Sequence, residues 1–88
     1  MRISSDRFDS GYREYRRRLR RGMTAEVLLN GEPVSDCVTA DTKRGVVVCL
    51  EVDESGRFVM NAKHNDLKKV QRFGKVDVQF EQSVQFVI

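Results

Sequence analysis

The side chains of this chain that are best suited to chemistry are arginines, and they cluster near its N-terminal end. Six arginines lie between Tyr12 and Gly22. They are Arg13, Arg16, Arg17, Arg18, Arg20 and Arg21. A guanidinium group offers a planar fork of five donors that matches phosphate and carboxylate oxygens. The cluster therefore predicts binding to an acidic partner, either nucleic acid or protein, with a merely solvated basic helix as the alternative.

The positive charge of the chain is confined to this end. Residues 1–23 carry eight arginines against three acidic residues, a net charge of +5, whereas residues 24–88 carry eight basic and ten acidic residues, a net charge of −2. The two parts add up to the +3 of the whole chain. This asymmetry predicts a basic helix or arm over residues 1–22 and one small folded domain over residues 23–88.

The other reactive side chains show no catalytic or metal-binding spacing. His64 is the single histidine and stands in a polar stretch without a spaced acid–base partner. Cys37, Cys49 and His64 lack the paired spacing of a zinc site. A phosphate-binding glycine loop and a nucleophile elbow are also missing from the sequence. We therefore predict a protein that is not an enzyme, with no metal, no cofactor and no small-molecule substrate.

The two cysteines are expected to be reduced thiols that act as small buried hydrophobes. A turn over Asp41–Gly45 that pairs residue 41 with 45 and residue 40 with 46 would place Cys37 directly opposite Cys49. A cross-strand pair of this kind can be oxidised, provided that its geometry suits a disulfide. Both alternatives stay open from the sequence.

The arginine cluster is predicted to lie on an amphipathic helix. Four apolar residues recur at spacings of four, three and four, which places them on one face that packs against other elements. They are Phe8, Tyr12, Tyr15 and Leu19. Ser5 is the expected N-cap, with Ser10 as the alternative start, and Gly22 is the expected C-terminal cap. The predicted helix runs from Asp6 to Arg21.

After Gly22 the pattern changes to the alternation that is typical of strands. Strands are predicted at 23–29, 34–40, 46–52, 57–61 and 76–88, with Asn30-Gly31 as the strongest turn signal between them. The almost continuously apolar segment from Val46 to Val52 is the expected central strand. Residues 66–73 fit either a short helix or a strand that bends at Gly74, and we favour the strand. The fold class predicted is mainly β: a small antiparallel β-barrel or sandwich of five to six strands with an N-terminal amphipathic basic α-helix.

The C-terminal strand is unusually long. Its apolar residues occupy even positions through Val84, Phe86 and Ile88. Such a strand exceeds the usual length of about five or six residues. We therefore predict that its last part, through these three residues, pairs with another subunit.

Several segments of the predicted domain, the body of the chain, resemble small proteins that tailed bacteriophages encode. The segments are Val27-Leu28-Leu29-Asn30-Gly31-Glu32-Pro33-Val34, Cys37-Val38-Thr39-Ala40-Asp41-Thr42, Gly45-Val46-Val47-Val48 and Phe73-Gly74-Lys75-Val76. The resemblance covers residues 24–80 and does not include the arginines. It implies a non-catalytic minor component of the virion at the head, neck or tail.

The predicted partners follow from these observations taken together. We expect protein subunits of a homo- or hetero-oligomeric assembly, with packaged DNA as a further ligand of the arginines. The alternative is a small nucleic-acid-binding or host-interfering regulator free in the cytoplasm. The sequence has no run of about 18 apolar residues and no apolar secretory signal, so we expect no membrane partner. The expected location is the host cytoplasm during synthesis, and then the virion.

Overall fold

The computed structural model describes residues 1–60 and 66–82, which form seven strands and one helix. The elements are β1 (Arg2–Ser4), α1 (Tyr12–Arg20), β2 (Met23–Leu29), β3 (Glu32–Pro33), β4 (Cys37–Asp41), β5 (Val46–Leu50), β6 (Lys69–Phe73) and β7 (Val76–Gln82). One antiparallel sheet has the order β1-β4-β5-β6 and the other has the order β3-β2-β7. The mainly β prediction is confirmed, but the described strands exceed the predicted five to six and do not close into a barrel.

The two sheets share one small apolar core. Its buried members are Ile3, Val27, Leu29, Ala40, Val47, Cys49 and Val76. Val47 of β5 is completely buried, and β5 lies between β4 and β6, as the apolar run predicts. A core of this size belongs to a domain of modest stability, because small chains bury a smaller fraction of their surface.

The predicted start of the helix is wrong, because residues before Tyr12 form a strand and a series of turns. Side-chain oxygens capture backbone N–H groups two residues ahead: Ser4 Oγ accepts from Asp6, Asp6 Oδ1 from Phe8 and Asp9 Oδ1 from Gly11. These local bonds compete with helical hydrogen bonds and favour turns. The N-terminal helix is therefore an internal helix of nine residues that follows strand β1.

Strand β1 ties the N-terminal segment into the four-stranded sheet. Ile3 lies opposite Ala40, and Ser4 opposite Thr39. The hydroxyls of Ser4 and Thr39 share a buried hydrogen bond of 2.7 Å. The backbone N–H of Ser4 also donates to the carbonyl of Gly11, so the strand holds the start of α1.

The strand predicted over 34–40 begins later than expected. Asp36 adopts a φ of +57°, in the left-handed region, and this change of direction ends any continuous strand. Before it, β3 covers only Glu32–Pro33 and pairs with β2, as expected for the Asn30-Gly31 hairpin, with Pro33 opposite Leu28. After it, β4 begins at Cys37 and joins the other sheet.

The remaining strands follow the prediction in part. Residues 69–73 form strand β6, so the preferred strand alternative is confirmed. In place of the strand over 57–61, isolated bridges join Val52 to Phe58 and Met60 to Leu67. β7 confirms the C-terminal strand as far as Gln82. The predicted pairing residues Val84, Phe86 and Ile88, the loop residue His64 and the strand end at Asn61 lie outside the described residues.

Candidate functional site

Four of the six predicted arginines form an exposed basic surface on α1 and just after it. This surface, the arginine face, consists of Arg13, Arg16, Arg20 and Arg21, all of which are exposed. At about 100° per residue, Arg13, Arg16 and Arg20 fall within one 60° sector of the helix, about 10 Å long. None of the ion pairs found among residues 1–60 and 66–82 involves these four side chains.

The other two arginines are engaged within the helix. Glu14 forms ion pairs of 2.8 Å with both Arg17 and Arg18. These two guanidinium groups hold the pKa of Glu14 below its usual value, Arg18 more than Arg17. Arg18 also lies over the ring of Phe80 on β7, 4.4 Å from its centre, in a cation–π contact. Arg18 is therefore a packing residue that anchors α1, which the sequence prediction missed.

The apolar face of the helix is shorter than predicted. Tyr15 packs against the core, and its ring centre lies 6.5 Å from that of Tyr12. Leu19 is 37% exposed and borders a groove. Phe8 is 84% exposed and precedes the helix, so its assignment to this face is wrong. The contacts of Tyr15 and Arg18 hold α1 in place and direct the arginine face away from the core.

An apolar groove lies beside the helix, at the open side of the two sheets. Its volume is about 590 Å³. Tyr15 and Leu19 line it from the helix, residues 24–27 from β2, residues 33–38 from the connection between the sheets, and residues 3–5 from β1. This groove, the β2 groove, has residues of β1 on one side and residues of β2 on the other.

The β2 groove exposes an incompletely paired strand edge. β7 pairs with β2 along all seven residues, whereas β3 pairs only with Leu28 and Leu29. The Val27 carbonyl accepts a hydrogen bond of 2.9 Å from the N–H of Val34, on the β3 side. Because backbone groups of alternate residues point to the same side of a strand, those of Ala25 also face the groove. Ala25 is exposed although it lies in the middle strand of its sheet.

Cys37 and Cys49 are opposite each other, as predicted, but by a different register. Residue 41 pairs with 46 and residue 40 with 47, one position away from the expected pairing. A β-bulge between Cys37 and Thr39 restores the opposition of the two cysteines. Burial, and to a smaller extent the neighbouring Cys49, raise the pKa of Cys37 to about 12. Burial also raises the pKa of Cys49, so both thiols are protonated at neutral pH and are poor nucleophiles.

A charged cluster fixes β1 to the turns on either side of it. Arg2 donates to Asp9 in a two-point contact, with distances of 2.8 and 2.6 Å, and reaches Asp41 at 3.3 Å. The hydrogen bond from Arg2 is the main cause that lowers the pKa of Asp9. Asp41 accepts backbone N–H bonds from Arg44 and Lys43, and these with Arg2 lower its pKa. The satisfied charges make this cluster a structural feature.

Two further findings concern the kinds of site that the described residues can form. In the described part of the chain, no group of three or more His, Cys, Asp or Glu side chains is arranged to hold a metal ion. The one described helix is too short and too polar to cross a membrane. Sequence reasoning missed the β2 groove, because the only local signal for it is Ser35-Asp36, the dipeptide at which the chain changes sheets.

Comparison with known proteins adds no relative to this description. No protein-family model, no curated protein and no solved structure matches the chain.

Proposed function

We propose that this chain is a non-catalytic accessory protein of a phage particle, which binds acidic surfaces of neighbouring subunits through its arginine face. The observation that carries the proposal is the set of four exposed arginines without a carboxylate partner among the described residues. An exposed guanidinium fork can bind a carboxylate through two parallel hydrogen bonds, and the helix holds the backbone of each arginine in place. The phage origin rests on the resemblance of residues 24–80 to small tailed-phage proteins.

The packing of α1 supports a binding role for its exposed side. Tyr15 and Arg18 attach the helix to the body, and Glu14 forms ion pairs with Arg17 and Arg18. The four remaining guanidinium groups therefore project from a fixed support. Donors on a fixed helix orient the partner as well as attract it, which suits contacts that repeat within an assembly.

The proposal is tested by reversing the charge of the arginine face. The variant changes Arg13, Arg16, Arg20 and Arg21 together to Glu and retains Arg17 and Arg18, which hold Glu14. Four exposed contacts of about 0.5 kcal/mol each amount to about 2 kcal/mol, so loss of the contacts weakens binding more than tenfold. The amount of chain in purified phage particles, measured by immunoblot, is expected to fall by at least that factor.

A matched control separates this effect from a change in net charge. Lys43, Arg57, Arg72 and Lys75 are also exposed and lie outside the helix. Changing these four to Glu alters the net charge by the same amount and is expected to leave incorporation unchanged. Equal incorporation of the arginine-face variant and the unaltered chain would contradict the proposal, as would an equal loss in the control.

A second candidate function is binding of nucleic acid, and the row of guanidinium groups along α1 favours it. The phosphates of one DNA strand follow each other every 3.4 Å of the duplex axis, so a row of about 10 Å parallel to that axis spans about three of them. If three phosphates are neutralised, the logarithm of the binding constant falls against the logarithm of salt concentration with a slope of about −3. Titration of the chain with duplex DNA at several salt concentrations measures this slope. Absence of binding at low salt would exclude this candidate.

A further inference from the structure

The β2 groove combines an apolar lining with the backbone groups of an open strand edge. Among the residues that the structure describes, Glu26 and Asp36 are the only charged ones that line it. Ala25 lies in line with the inward-facing Val27 and Leu29, since side chains alternate along a strand. Val27 and Leu29 are buried, whereas Ala25 is exposed to the groove. The groove therefore has the two properties of a β-augmentation site: free main-chain groups and a place for alternate apolar side chains.

Residues 83–88 of the sequence have the complementary pattern. Val84, Phe86 and Ile88 alternate with Ser83, Gln85 and Val87, and the segment has no charged side chain. An uncharged segment is suited to a groove lined by apolar residues, because it brings no charge that would lose its hydration. In β7 the preceding even residues Val76, Val78 and Phe80 face the core, so the alternation continues an inward-facing series.

The segment follows a strand that lies on the far side of β2 from the groove. β7 lies on the other edge of β2 and runs antiparallel to it, with Gln82 opposite Met23 at the beginning of β2. To reach the groove edge of its own β2, the sequence after Gln82 would have to pass the end of β2 and reverse its direction. Only Ser83 separates Gln82 from Val84, so such a turn would use the residues whose alternation suits an added strand.

We propose that the β2 groove binds residues 84–88 of a second copy of this chain as an added strand beside β2. In this arrangement backbone groups of Ala25 pair with the incoming segment, and alternate apolar side chains enter the groove beneath Tyr15 and Leu19. The added strand occupies the β2 groove between β1 and β2. This inference rests on the proposed function and deepens it, since it assigns the contact between copies within the assembly.

The inference is tested with one variant for each side of the contact. Phe86→Asp places a charge on the donated segment, and Ala25→Glu places one in the groove. The unaltered chain is expected to show a mass of two or more copies in size-exclusion chromatography with light scattering, and each variant alone a mass of one. Val87→Asp is the matched control, because position 87 is out of phase with positions 84, 86 and 88 in the alternation, and it is expected to retain the oligomer.

Mixing the two variants gives the more specific result. Phe86→Asp retains an intact groove and Ala25→Glu retains an intact segment, so an equimolar mixture is expected to form a dimer that neither variant forms alone. If Ala25→Glu does not fold, a peptide of residues 82–88 is added to Phe86→Asp instead, and the amide NMR signals of Ala25 and Val27 are expected to shift. A monomeric unaltered chain, or a mixture or peptide without effect, would overturn the inference.

The two proposals fail in different ways. Chains altered on the arginine face are expected to form the same oligomer as the unaltered chain, because none of the four arginines lines the β2 groove. If the unaltered chain forms oligomers but the arginine-face variant enters particles normally, the proposed function alone is contradicted. Incorporation that depends on the arginine face, together with a monomeric chain, would contradict the strand exchange alone.

Discussion

At the scale of single residues, Arg2 and Arg18 show that some arginines of a basic segment hold the fold together while others stay exposed. Arg2 joins Asp9 and Asp41, and Arg18 joins Glu14 and the ring of Phe80. Composition alone places all of them in one basic cluster. The difference depends on the side of the helix and on residues distant in sequence, such as Phe80, which a local pattern does not reveal. Four of the six predicted binding arginines remain exposed, without an ion pair among the described residues.

The ion pair between Arg2 and Asp9 predicts a loss of stability in acid. Because the pKa of Asp9 is lowered in the folded chain, the pair stabilises the fold above the unfolded pKa of about 4 and loses this effect as the pH falls further. Asp9→Asn is expected to lower the free energy of unfolding by about 1 kcal/mol at pH 7. Its effect at pH 3 should be smaller. Urea titrations at the two pH values measure the difference, and an equal loss at both would contradict the assignment.

The cysteine pair predicts slow alkylation in the folded state. With a pKa of about 12, the thiolate fraction of Cys37 at pH 8 is about a thousandfold below that of a free thiol with a pKa of about 8.5. Mass spectrometry after treatment with iodoacetamide is expected to show almost no modification of the native chain and rapid modification of both cysteines in denaturant. Rapid labelling of Cys37 in the native chain would show that the thiol is not held in this environment.

At the scale of elements, the sequence predicts strands better than it predicts the ends of the helix. The Asn30-Gly31 hairpin, the central β5 and the strand nature of residues 69–73 all follow from local patterns. The helix start does not, because Asp6 and Asp9 can serve either as first-turn carboxylates or as turn-forming side chains. Contacts of β1 with β4, 35 or more residues away, decide between the two uses.

Gly11, the residue before α1, lies against the backbone of β1. An added Cβ at Gly11 would lie 2.9 Å from the Arg2 carbonyl oxygen and from backbone carbons of Ile3. We therefore expect Gly11→Ala to lower the free energy of unfolding by about 1–3 kcal/mol, since the backbone must move to relieve the overlap.

Thermal or urea unfolding measures this loss against Ser10→Ala. Ser10 is exposed one position earlier, and its substitution is expected to change stability by less than about 0.5 kcal/mol. If Gly11→Ala is as stable as the unaltered chain, the turn segment is not packed against β1 in the way described.

At the scale of the whole molecule, the sheets leave one side of the body open, and the helix lies beside that opening. The sequence predicts strands in which apolar and polar residues alternate, and the turns that join them. Both are consistent with a closed barrel or with an open arrangement of strands. The left-handed Asp36 moves the chain to the other sheet after only two residues of pairing in β3, and β2 remains incompletely paired. The arginine face and the β2 groove are neighbours, because α1 carries the arginine face and also lines the groove with Tyr15 and Leu19.

The central claim is that the arginine face binds an acidic surface within the particle, and arginine footprinting tests it most directly. Free chain and purified particles are treated with phenylglyoxal, and modification is quantified for each arginine by mass spectrometry. We expect four arginines to react in the free chain and to be protected in the particle, namely Arg13, Arg16, Arg20 and Arg21, while Arg57 and Arg72 react equally in both. Equal reactivity of the four arginines in both states, or a chain that is absent from the particles, would contradict it.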